Sequence, residues 1–275
     1  MLTSVRLDRD GEEIHFALDP STANTNFGLK EVKGLEPVRA DVNYADYATI
    51  VGGHYSSSNV GARNIVLTAF FEPDWSSGET VEAMRRRVYS LASPGEEVRF
   101  MIFVDNQSQM FINGIVESNE PDMFTRDPSM TISIICPEPY FRGMNTRVIE
   151  GAAETTTTIS YEGDVSRGYE IRIKLLSSVE WVQVGRLSTE PRFRVGVPES
   201  IAGNIVVIQG TDMYKNIVLR TSSDVFKRQL IGDISTGLND GWPQLTPGNN
   251  PIRVLASDGR PHPWTITFRD LYRGF

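Results

Sequence analysis

The second half of the chain is a run of short segments in which apolar and polar residues alternate, and no stretch of helical spacing interrupts them. Seven segments read this way: YEIRIKLL from Tyr169, EWVQVG from Glu180, PRFRVGV from Pro191, NIVVIQG from Asn204, KNIVLRT from Lys215, PIRVLA from Pro251 and WTITFRD from Trp264. In the first, Tyr169, Ile171, Ile173 and Leu175 alternate with Glu170, Arg172 and Lys174. In the last, Trp264, Ile266 and Phe268 alternate with Thr265, Thr267 and Arg269. Successive side chains of a strand point to opposite faces, so this pattern buries one face only. A series of such strands with turn residues between them predicts a β-sandwich.

Upstream, between Arg142 and Ile159, the composition shifts to glycine, alanine and the run Thr155–Thr158, which reads as a boundary. The chain of 275 residues is long for one ordinary domain. The expected division is 1–145 and 146–275.

The first half is mixed. Val5, Leu7, Ile14, Phe16 and Leu18 alternate around Asp10-Gly11, which predicts a hairpin. From Asp19 to Gly61 the pattern loosens among glycines and serines, which predicts long loops or a projecting arm. NIVLTAFF, Asn64 to Phe71, has the two-sided apolar character of a central strand. Glu79 to Ala92 predicts the one helix, with Val81, Met84, Val88 and Leu91 on one stripe, Ser76 or Ser77 as cap, and Pro94-Gly95 beyond its end. A second hairpin is expected around Asp105–Ser108, with Val98, Phe100, Ile102 and Val104 on one side. A strand from Met130 to Cys136 stops at Pro137.

Composition removes several functions. Hydrophobic residues at 40% and charged residues at 23% suit a packed globular chain, so disorder throughout is not expected. A net charge of -8 has the wrong sign for gripping a nucleic-acid backbone. Cys136 is the only cysteine, so no intrachain disulfide is needed and synthesis in a reducing compartment is expected. No amino-terminal export signal and no apolar run long enough to span a membrane is read, so neither export by that route nor membrane insertion is expected.

Catalytic signals are weak. His15, His54 and His262 have no second ligand at metal spacing and read as surface or turn histidines. Cys136, inside an apolar strand, reads as a small buried hydrophobe. Asp8–Glu13 begins like a calcium loop but lacks the later glycine and glutamate, and a hairpin turn explains it. No phosphate-binding glycine loop or nucleophile elbow is present, and no cofactor is expected. Arg85, Arg86 and Arg87 spread over about 200° of a helix, so they read as a solvated face or a salt-bridged subunit contact. Two readings compete with a purely structural role. One is a carbohydrate-binding module that stacks sugar on Trp181, Trp242 or Trp264. The other is a hydrolase with paired carboxylates.

Four stretches in order carry a resemblance: RNIVLTAFF (Arg63 to Phe71), ETVEAMRRRVYSLASPGEEV (Glu79 to Val98), FINGIVESNEPDMF (Phe111 to Phe124) and TISIICPEPYF (Thr131 to Phe141). With GNIVVIQG, KNIVLRT and WPQLTPGNNPIRV in the second half, the chain resembles the siphophage distal tail protein family. The resemblance implies a mainly β protein, with an N-terminal split β-barrel-like domain carrying one α-helix and hairpins, and a C-terminal galectin-like β-sandwich. It implies a structural virion protein and no enzyme: a homo-hexameric ring at the distal end of the tail, made in the host cytoplasm. The N-terminal domain would form the ring and the sandwich would serve as docking platform. Implied partners are the tail tube protein, the tip hub protein and receptor-binding or side-fibre proteins, with DNA passing through unbound. Six copies would carry about -48, which disfavours DNA adhesion to the channel wall. Cyclic closure also consumes sheet edges that would otherwise seed fibres. The candidate ring or partner contacts are Tyr44, Tyr47, Tyr55, Arg63, Arg86 and Arg87.

Overall fold

The structure, a computed structural model, describes residues 2–47, 51–105, 107–122, 128–186, 189–211, 214–235 and 241–275. Asn106 of the second predicted turn lies outside the described residues, as do Met123 and Phe124 at the end of one quoted stretch. The protein is mainly β, in two compact units. The first is Met1–Met144 with Tyr272–Phe275, and the second is Asn145–Leu271.

In the first unit, β1 (Leu2–Arg9) and β2 (Glu12–Ala17) form the predicted hairpin. Asp10 and Gly11 both take positive φ, 55° and 87°, as a two-residue turn of the right twist requires. A four-residue helix, α1 (Pro20–Ala23), is capped by the Asp19 carboxylate. Bonds from the Ser21 and Thr22 hydroxyls and the Thr22 N–H hold that carboxyl at a pKa of about 2. Then follow β3 (Phe27–Lys33), β4 (Ala40–Asp46), β5 (Gly53–Val60), β6 (Arg63–Phe71), α2 (Val81–Leu91), β7 (Glu97–Val104), β8 (Gln107–Pro121), β9 (Ser129–Cys136) and β10 (Phe141–Gly143).

Pairing runs β8–β7–β1–β2–β3–β6–β9, and β9 returns to β8. The long β8 makes this possible because its first part pairs β7 and its last part pairs β9. The link between β2 and β3 is parallel and only two residue pairs long, Phe16 with Phe27 and Ala17 with Gly28. The result is a ring of sheet and not a clear barrel, which is as far as the expected split-barrel form is met. Val5, Leu7, Phe16, Ile65, Phe100 and Ile134 line its core, and α2 adds Met84, Val88 and Leu91 from one face.

Local details correct the sequence reading. The cap of α2 is Thr80, whose hydroxyl accepts from Ala83 N–H at 3.2 Å. Ser76 and Ser77 instead close a turn on Asp74. Within the segment expected to be loop, β3 is a paired strand. A bulge between Leu29 and Glu31 breaks its alternation, and the breaking of period two hides it from a pattern search. At Gly28 the Phe70 ring occupies the space a side chain would take, since a Cβ would stand 2.1 Å from it.

The second unit contains β11 (Arg147–Ala152), β12 (Thr156–Tyr161), β13 (Arg167–Gly168), β14 (Glu170–Lys174), β15 (Trp181–Arg186), β16 (Thr189–Gly196), β17 (Ile205–Thr211), β18 (Tyr214–Arg220), β19 (Phe226–Gln229), β20 (Ile234–Ser235), β21 (Gln244–Leu245), β22 (Gly248–Ala256) and β23 (Pro263–Phe268). A last short strand, β24 (Leu271–Tyr272), leads back to the first unit and pairs with β10. One sheet runs β11–β23–β14–β17–β18–β19 and the other β12–β22–β15–β16–β20. A single core joins them, with Ile171, Ile173, Val182, Ile208, Ile252 and Trp264 among its members. The seven segments singled out above all lie on these strands. The stretch read as a boundary does not stay irregular: β11 and β12 are edge strands, and edge strands with threonine and glycine carry little apolar signal. Gly151 on β11 leaves room for Trp264, whose ring a Cβ would meet at 2.2 Å.

Candidate assembly surface

Among the described residues, strands β4 and β5 pair only with each other. Every residue of β4 whose side chain is described is exposed, and so is all of β5 except the half-buried Val60. Val42, Tyr44 and Tyr55 are 55%, 66% and 58% exposed, and Tyr47, just past β4, is 52% exposed. Tyr44 stands opposite Tyr55, next to a register shift that leaves Ser56 unpaired and bends the ribbon. Asn43 donates to Ser57 Oγ at 3.2 Å, and Tyr55 shares a hydrogen bond with Ser58 at 3.0 Å. A two-stranded ribbon is marginal alone in water, and aromatic side chains on both strands with no core beneath them suit burial against another chain. The structure therefore brings the three tyrosines onto one ribbon, within a segment whose looseness was its only sequence signal.

Arg63 is a correction. Expected at an interface, it is 2% exposed. Its guanidinium donates to four backbone carbonyls: Pro139 at 2.7 Å, Glu36 at 2.8 Å, Gly34 and Arg273. The Phe141 ring lies 4.5 Å below it. An arginine that opens an apolar strand looks exposed in sequence; here a fork of donors satisfies carbonyls that secondary structure leaves over. Arg86 and Arg87 are exposed on α2, a separate element from the ribbon. Arg86 pairs with Glu82 at 3.3 Å, and Arg87 stacks on Phe27 at 5.6 Å. Arg85 donates to Asp122 O at 2.9 Å, so the three arginines diverge.

His262, the most buried of the three histidines, is engaged in structure. His262 is fully buried, and its Nδ1 accepts the Leu176 N–H at 3.0 Å. Its Nε2 faces Asp258 at 2.9 Å, and Asp258 also accepts from the Ser177 hydroxyl and Arg260 N–H. Desolvation pushes the Asp258 pKa up, yet the bonds from Ser177, His262 and Arg260 together hold it below the ordinary value. Serine, histidine and aspartate meet here, but the serine bonds the carboxylate and the imidazole nitrogen that could take its proton is filled by backbone, so no nucleophile is activated. Burial, and then the Arg6 charge, lower the pKa of His15, which lies 6.0 Å from Phe103. His54 is exposed on the ribbon. No cluster of three or more metal-binding side chains occurs among the described residues.

Cys136 is fully buried. Burial drives its pKa up to about 12 against the opposing pull of Arg63. The thiolate is the reactive form, so Cys136 in the native protein is expected to resist a thiol reagent at pH 8 and to react fully in denaturant. Fast labelling of the folded chain would contradict this burial.

The tryptophans proposed for sugar do not make a platform. Trp264 is 2% exposed, Trp242 packs on the core 5.1 Å from Phe193, and the Arg194 guanidinium covers Trp181 at 4.2 Å. An open groove of about 520 Å³ in the second unit includes Glu180, Glu199, Ser200 and Ser257 in its lining. Both of these glutamates are exposed and Glu199 pairs with Arg228 at 3.2 Å, which is not the desolvated setting of a proton-donating carboxyl.

No family model and no curated protein matches the sequence. Among solved structures the chain is similar to the SPP1 Dit (gp 19.1) protein, described as a paradigm of the hub adsorption apparatus in phages that infect Gram-positive hosts. The TM-score is 0.68 at 16% identity, over 96% of this chain and 98% of that one. Chains from the phage P2 baseplate in its activated conformation, with Ca and with Sr, align at TM-scores of 0.42 and 0.41 and 7% and 8% identity. Those two alignments cover 97% and 96% of this chain and 98% and 97% of the others. The likeness to SPP1 Dit extends end to end and fixes the fold.

Proposed function

We propose that this chain is a structural part of a phage tail tip, forming a hexameric ring between the tail tube protein and the tip hub protein. The observation that carries the reading is the exposed β4–β5 ribbon on a chain that shares its fold with SPP1 Dit along nearly its full length. In this reading the first unit, a split-barrel relative, makes the ring. The second, a galectin-like sandwich, is the docking platform for receptor-binding or side-fibre proteins. The role is non-enzymatic: the buried His262 and Cys136 are held in structural settings, and DNA crosses the ring without being bound. The protein belongs to the virion after synthesis in the host cytoplasm.

Light scattering on the purified protein, followed by imaging of the particles, tests this directly. Six chain masses and a ring are expected. A monomer at every concentration up to the millimolar range would overturn the ring.

A further inference from the structure

We infer that the last residues, Tyr272–Phe275, are a strap that fixes the direction in which the β4–β5 ribbon leaves the first unit. The inference rests on the ribbon being the assembly surface. The incoming leg of the ribbon follows β3 at Gly34, and the outgoing leg joins β6 at Arg63. Gly34 has φ +85°, and a Cβ there would stand 2.0 Å from Asn64 O, so the incoming leg lies hard against the start of β6. Arg63, on the outgoing side, donates to Gly34 O and Glu36 O of the incoming leg. The same guanidinium donates to Arg273 O of the strap.

The strap grips the incoming leg a second time. Phe275 N–H donates to Leu35 O at 2.9 Å, and Gly274 comes so close that a Cβ would meet Leu35 O and Pro37 N and Cδ at 2.9 Å each. Tyr272 and Leu35 both pack on the core of the first unit, which anchors strap and leg to the same rigid body. Two legs, one guanidinium and Tyr272–Phe275 thus form one clamp at the ribbon's root. An interface built by copies in a ring tolerates little error in the angle of its contact element, because the error accumulates around the ring before it closes. A strap that merely completes the core would stabilise the whole unit equally; one that clamps the root protects the ribbon above all.

Hydrogen exchange on the full chain, at a concentration below assembly, separates these. Gly274→Ala should speed exchange of Ala40–Asp46 and Gly53–Val60 by about tenfold while α2 and β7 keep their rates. A chain ending at Leu271 should show the same pattern, more strongly. If the ribbon keeps its protection in the shortened chain, or if both variants speed the whole unit evenly, the strap is not a clamp and the inference fails. Light scattering on the same proteins at higher concentration, where the ring would form, reads the ring independently. A loosened ribbon in a chain whose parent never assembles would leave the clamp standing and sink the ring.

Discussion

Replacing Arg63 with alanine is expected to destabilise the first unit by about 3–5 kcal/mol and to leave the second unit's transition in place. Four carbonyls lose their donor at once, and each buried acceptor left alone costs about 1–3 kcal/mol, partly offset where water enters the space. The stack on Phe141 adds about 1 kcal/mol. Burial lowers the Arg63 pKa, with Cys136 and Glu36 opposing, but a guanidinium stays charged throughout the working range. Arg63→Lys should recover part of the loss and no more. An ammonium offers three donors from one point and cannot reproduce a planar fork that reaches Pro139, Glu36, Gly34 and Arg273.

Cys136 supplies the readout, because it sits in the same core and reacts only when that core opens. In mild urea its labelling rate should rise by roughly two to three and a half powers of ten in the alanine variant. A rate within a factor of three of the parent would show that water replaces the guanidinium without cost.

The split between what the residues declared and what they concealed has physical causes. The seven strands of the second unit were legible because each buries one face, and period two survives in any sequence that must do so. β11 and β12 fall in the stretch that reads as a boundary because an edge strand needs fewer apolar residues and can include a run such as Thr156–Thr158. β3 was lost to a bulge that shifts its phase after Leu29. The helix was legible from its stripe, but its cap was displaced from Ser76 or Ser77 to Thr80, since several hydroxyls in a row cannot be ranked without the backbone. Arg63 shows the deeper limit. Its partners lie 27 to 210 positions away, so no local pattern could reveal that its charge points inward. The run into Pro139 and Phe141 and the arginine that opens β6 stood out separately in the sequence, and the structure joins them as one contact.

Exchanging Tyr44 and Tyr55 together for serine should abolish assembly while shifting the thermal midpoint, compared below the assembly concentration, by no more than about 1 °C. Both side chains are more than half exposed in the single chain, so their removal subtracts almost nothing from its own core. In an interface, by contrast, a buried aromatic anchor contributes about 2 kcal/mol or more. Two per contact then weaken each joint by about three powers of ten, and every joint of a ring carries the same loss. The arginines of α2 provide the contrast. Arg86 and Glu82 form an exposed pair that contributes only about 0.3–0.5 kcal/mol to the helix, so Arg86→Ala changes stability little. Loss of assembly in that variant alone would move the contact from the ribbon to the helix. Concentration-dependent light scattering on the parent, the double tyrosine variant and the arginine variant decides among these outcomes. An undiminished ring from the tyrosine variant would remove the ribbon from the interface, because no interface that buries Tyr44 and Tyr55 could lose both rings and close as before.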